Sequence, residues 1–137
     1  MRYFFALAVA LGVLGVLDFI WLGNVMTDFY KNQFGLLGCK TMVGMSEKWG
    51  AILVTYFLMA LGFALFVFPR LSIDGAAWAT ALQGSLFGLV LFGVYELTSY
   101  IVFADWPILL VLVDTAWGMF AYAMTSLVAV FVLRWLR

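Results

Sequence analysis

Histidine is absent from this 137-residue chain and cysteine occurs once, at Cys39. An internal disulfide, a CxxC redox pair, a histidine-ligated haem and most zinc sites are therefore excluded. Charge is scarce as well: 10% of residues are ionised, seven basic against seven acidic, for a net charge of zero. Nothing here would capture nucleic acid or anionic headgroups electrostatically, and no nucleic-acid partner is expected. What remains is apolar. With 67% hydrophobic residues and a mean hydropathy of +1.14, the chain carries more apolar surface than a soluble domain of its length could bury. It belongs in a bilayer, with membrane lipid as its first partner. Any catalysis would fall to carboxylates, hydroxyls or lysines; the composition calls for no cofactor and no metal.

Four stretches are long enough to cross a hydrocarbon core, which takes roughly 20 helical residues: Tyr3 to Gly23, Trp49 to Phe68, Ala76 to Phe103 and Pro107 to Trp135. The first resembles a signal peptide in having Arg2 before an apolar run. It continues through Asp18 to Leu22 without a small-residue cleavage site, so it is read as a retained helix. Between the first two spans, Asn24 to Lys48 holds all the lysines and also Phe29, Phe34, Leu36, Leu37, Met42, Val43 and Met45, a mixture expected of a segment lying partly in the interface. Gly35, Gly38 and Gly44 oppose one straight helix there. The connection Pro69 to Gly75 offers Ser72 or Asp74 as a helix cap, and Pro107 suits the first turn of the last helix. Short connections make neighbouring helices antiparallel. The expected fold is all-α, a single transmembrane domain over 1–137 with four helices in an up-down bundle and an interfacial segment between helices one and two.

Helix three carries Ala76, Thr80, Gly84 and Gly88 at intervals of four, a smooth stripe where another helix can approach closely, either within the bundle or in a homo-oligomer. Threading places Arg2, Arg70, Arg134 and Arg137 on one side and Lys31, Lys40 and Lys48 on the other, a small bias toward cytoplasmic termini. Trp21, Trp49 and Trp106 then fall near the far interface.

Two spans at opposite ends of the chain share one short word, Asp18-Phe19-Ile20-Trp21 and Asp114-Thr115-Ala116-Trp117, in which the acid and the tryptophan lie on one helical face. An ionisable group inside a membrane helix is costly and marks a site by default. Asp18 lies five residues before Gly23, Glu96 seven before Phe103, and Asp114 seven after Pro107. At about 1.5 Å per residue all three reach roughly 7 to 10 Å inside the same membrane face. Tyr95, Thr98, Ser99 and Tyr100 surround Glu96, Tyr56 of helix two reaches a similar depth, and Trp21 and Trp117 complete the candidate set. No lysine or arginine falls in the helix cores to balance the acids. At least one carboxyl is then protonated, or a cation or cationic ligand sits among them. A carboxyl pair sharing a proton could do acid–base work, and three carboxylates could ligate a hard cation, although no recognised metal spacing accompanies them. In the plainer alternative the acids bond tyrosine, threonine or tryptophan donors and pin helices together, and the tryptophans are interface anchors.

The words Leu17-Asp18-Phe19-Ile20-Trp21-Leu22, Phe29-Tyr30, Tyr95-Glu96-Leu97-Thr98, Asp105-Trp106-Pro107 and Val113-Asp114-Thr115-Ala116-Trp117-Gly118, with Pro69, Gly84 and Gly88, together resemble a bacterial domain-of-unknown-function family of four-helix membrane proteins. The resemblance spans nearly the whole chain. The family's third word is usually Tyr-Asp-Leu-Thr-Asn; here Glu96 keeps the acid with a longer reach and Ser99 replaces the amide. The resemblance implies a multi-pass protein of the bacterial inner membrane and no established activity. Three readings of function stand: a binding or transport unit that exchanges protons against a cationic or amphiphilic ligand, a small enzyme acting on a lipid or isoprenoid, and a structural or assembly subunit without chemistry.

Overall fold

The computed structural model describes residues 2–38 and 48–136. Cys39, Lys40, Met42, Val43, Gly44, Met45 and Glu47 lie outside them. Among the described residues the chain is all-helical, and four helices are long and apolar enough to cross a membrane: Tyr3–Val25, Trp49–Arg70, Ala77–Val102 and Ile108–Trp135.

Helix α1 (Arg2–Ile20) turns Ala6, Ala10, Leu14 and Asp18 inward, one residue per turn, and all four are buried. The two alanines let α1 come close to its neighbours. The helix then widens into a π-helical turn, Trp21–Val25, closed by a 2.8 Å bond from the Met26 N–H to the Trp21 carbonyl. Side chains answer carbonyls around that widened turn: Thr27 Oγ1 donates to Leu22 O at 2.6 Å and Asn24 Nδ2 to Phe19 O at 3.3 Å. In hydrocarbon an unanswered carbonyl is costly, so these two polar residues make the irregular turn tolerable.

Helix α2 (Thr27–Leu36) occupies part of the polar first connection; its C-cap is Leu37, and the next residue, Gly38, has a φ of 66°, the left-handed value that suits glycine. Its one buried residue is Tyr30. Helix α3 (Trp49–Gly62) runs on through a second π turn, Phe63–Val67, and a 3-10 turn, Phe68–Arg70, that contains Pro69. The second span therefore reaches two residues beyond the expected Phe68.

Helix α4 (Ala77–Val102) and helix α5 (Ile108–Trp135) form the most extensive pair. The smooth stripe on α4 faces α5 from within one chain: Gly84 lies against the backbone of Tyr122 and Gly88 against that of Gly118, so a Cβ at either would collide with α5. The N-cap position of α4 falls on neither Ser72 nor Asp74. Its N-cap is Ala76, which makes no side-chain capping bond, because Ser72 to Gly75 close a turn of their own, with Gly75 N–H on Ser72 O at 3.2 Å. Arg134 ties that turn down, donating from Nε to Ile73 O at 2.6 Å and from Nη2 to Gly75 O at 2.7 Å. Pro107 is the N-cap of α5, and the helix proper starts at Ile108. Deep in the bundle Tyr122 is fully buried, donates to Met59 O at 3.1 Å and meets Phe87 edge-on.

Candidate acid–aromatic site

The antiparallel course of α1 and α5 runs the two Asp-x-x-Trp words past each other in opposite directions. Three residues of helix rise about 4.5 Å, so each acid comes level with the other word's tryptophan. Trp117 Nε1 donates to Asp18 Oδ1 at 2.7 Å, a contact between residues 99 apart in sequence. In the other direction Trp21 Nε1 donates to the Tyr30 hydroxyl at 3.2 Å, and that hydroxyl donates in turn to Asp114 Oδ1. The two indoles stack, with centroids 4.3 Å apart and planes within 4° of parallel. Trp21, weighed above as an interface anchor, is thus an inner wall of the site.

Asp18 takes a second bond from the Tyr56 hydroxyl of α3 at 3.0 Å, so its carboxylate joins three helices. Glu96, only 1% exposed, accepts from Trp106 Nε1 at 2.9 Å. Trp106, also placed above near the interface, folds back from the α4–α5 connection to do this. The Asp114 and Glu96 carboxyls lie within hydrogen-bonding reach of each other, and Asp18 is close enough to interact electrostatically with Asp114. Two carboxyls can bond to one another only through a shared proton.

Helix α2 supplies the outer cover. Tyr30 stacks with Phe34, and Phe34 meets Trp106 edge-on at 5.9 Å. Burial first, and then the bond to the Asp114 carboxylate, push the Tyr30 phenol above its ordinary range, so it stays a donor.

Of the residues expected in the site, Asp18, Trp21, Tyr56, Glu96, Asp114 and Trp117 converge. Ser99 is buried beside them but donates to its own helix, to Tyr95 O at 2.9 Å. Thr98 and Tyr100 do not converge; they are exposed on the outside of the bundle, whereas Tyr95, also largely exposed, stays close enough to interact electrostatically with Glu96 and Asp114. The cause is a drift in the inward line of α4, which runs Gly84, Gly88, Gly93, Glu96, Ser99 and so moves to steps of three past Gly93, leaving Tyr100 behind. Tyr30 and Trp106 were missed. Both stand in connections rather than spans, and their only sequence signals were the Phe29-Tyr30 and Asp105-Trp106-Pro107 words. Among the described residues no lysine or arginine pairs with the three acids, and no group of three or more acidic, histidine or cysteine side chains is placed to hold a metal ion. The hard-cation arrangement therefore finds no cage among these carboxylates.

Fold and site together define a four-span helical membrane protein with acids buried among aromatic donors. Residues 3–131 match the family described as predicted membrane protein (DUF2177), and the chain belongs to it. No curated protein and no solved structure matches the chain.

Proposed function

We propose that this protein binds a cationic or amphiphilic ligand at the acidic layer and exchanges it against protons. One observation carries the reading: the buried Glu96 and the half-buried Asp114 lie within hydrogen-bonding reach of each other, take their other hydrogen bonds from neutral tryptophan and tyrosine donors, and among the described residues have no basic side chain to balance them. A proton held between two carboxyls is what an arriving cation displaces most readily, because the cation then supplies the missing positive charge. Tetraphenylphosphonium added to proteoliposomes with an internal pH dye tests this. Wild type should show ligand-dependent proton movement that Asp114→Asn abolishes; equal responses in both would end the proton-exchange reading.

The bonds from Tyr56 and Trp117 to Asp18 favour a second role for that residue, as a pin between α1, α3 and α5. Asp18→Asn should then lower stability, since one amide face offers donors where two donors already point. Unchanged unfolding for this variant would remove the pinning role. The protein is proposed to sit in a bacterial inner membrane with cytoplasmic termini, which puts the acidic layer toward the outer leaflet, and to function as a homo-oligomer.

A further inference from the structure

We propose that the apolar groove between α1 and α5 holds the chain of a single-tailed alkylammonium amphiphile whose head takes the place of the Tyr30 hydroxyl at Asp114. The inference rests on the reading of the acidic layer as a binding site and names what it binds.

The groove, about 410 Å³, is lined by Trp21, Met26, Val113, Ala116, Trp117 and Phe120. One helical turn further along both helices lies a second hollow of about 380 Å³, bordered by Gly12, Val16, Leu17 and Met124. From Met26 back to Val9 the two hollows together span roughly 25 Å of helix at about 1.5 Å per residue. A Cβ at Gly12 would meet nothing within 4 Å, so that part of α1 is open rather than packed.

The walls alone would accept any hydrocarbon; the charge behind them selects the head. Trp21 and Trp117 form the inner wall, and their indole N–H groups point away from the groove to Tyr30 and Asp18. Val113, at the groove's end, adjoins Asp114 in the chain. An occupant therefore meets an apolar trough and then the stacked indole pair, and behind that pair lie carboxylates that no base balances among the described residues. An ammonium head on a single alkyl tail complements all three, since a cation gains from both the indole faces and the acids. The position such a head would take at Asp114 is held by the Tyr30 hydroxyl. Tyr30 comes from α2, which lies outside the four spans and joins α1 through Met26. Head binding thus replaces one donor by another and releases the only buried residue of α2.

Equilibrium binding of dodecylamine to the protein in phosphatidylcholine nanodiscs, corrected for partition into empty discs, tests the proposal. Wild type should bind saturably, and dodecanol of the same chain length should compete poorly. Ala116→Phe fills the groove from an exposed position and should abolish binding. Tyr30→Phe keeps the packed ring and removes the competing hydroxyl, so dodecylamine should bind about tenfold more tightly, the size of one charge-assisted hydrogen bond. A merely structural tyrosine predicts weaker or unchanged binding, and either result overturns the proposal. Binding unaffected by Ala116→Phe overturns it too, as does a change in Ala116→Phe from dimer to monomer, which would assign the groove to a second copy. Loss of binding in Asp114→Asn with no response to Ala116→Phe or Tyr30→Phe leaves the acid-site reading standing and removes the groove. Full binding in Asp114→Asn removes the underlying reading itself.

Discussion

Each buried carboxyl here is defined by who donates to it. Trp117→Phe keeps the stacked ring but takes one of two donors from Asp18, leaving a buried acceptor short by one bond. We expect a loss of about 1.5–3 kcal/mol, the range for hydrogen bonds to charged groups, read from unfolding in detergent. Asp114→Asn should express and fold yet lose cellular function, since the amide keeps size and hydrogen bonding but cannot ionise. Glu96→Asp should be tolerated; a shorter acid still lies on the inward line of α4. A knockout complemented by Asp114→Asn would leave no titrating role for that position. Tyr30 adds a pH dependence. Its phenol is held above the ordinary value of 10.0, so the docked form stays protonated while an undocked phenol ionises as pH climbs past that value. Docking of α2 is then fully favoured below pH 10 and weakens above it. A spin label at Lys31→Cys in a Cys39→Ser background should gain mobility above that pH in the parent chain, and Tyr30→Phe should flatten the response.

At the scale of elements, two kinds of glycine separate cleanly. Gly88 sits against the α5 backbone, and a Cβ there has nowhere to go, whereas Gly12 faces open space. Gly88→Ala should cost about 1–3 kcal/mol by forcing α4 and α5 apart. Gly12→Ala should be neutral or gain up to about 1 kcal/mol from helix propensity. Both are measured by the same unfolding experiment, and equal effects would contradict the assignment of the α4–α5 seam. The π turn Trp21–Val25 is the other element-scale feature: it gives α1 a wide last turn that sets Trp21 toward Tyr30 and leads through Met26 into α2. Its supporting bonds from Asn24 and Thr27 use the first polar residues after the apolar run.

At the scale of the molecule, the proposed orientation rests on the small excess of basic residues, Arg2, Arg70, Arg134 and Arg137 against Lys31, Lys40 and Lys48, on the side of the termini. Reporter fusions at Arg137 should be active only in a format that senses the cytoplasm; activity in both formats would indicate dual insertion and would place the acidic layer in either leaflet.

Several features were legible in the sequence alone. Hydropathy summed over some twenty residues decides whether a segment spans, so the four spans and the all-helical class follow from composition and run length. A constant rise per residue decides depth, so Asp18, Glu96 and Asp114 could be placed in one layer by counting. The small-residue stripe on α4 announced a close contact, but not with whom. Tertiary structure decided the rest. Whether Trp117 meets Asp18, or Tyr30 meets Asp114, depends on the rotation of one helix about its axis relative to another and on where α2, which spans nothing, comes to lie. Those are contacts between residues 99 and 84 positions apart, set by packing over the whole bundle rather than by any local pattern. Tyr100 lies outside for the same reason: the inward line of α4 drifts, and only the neighbouring helix determines by how much.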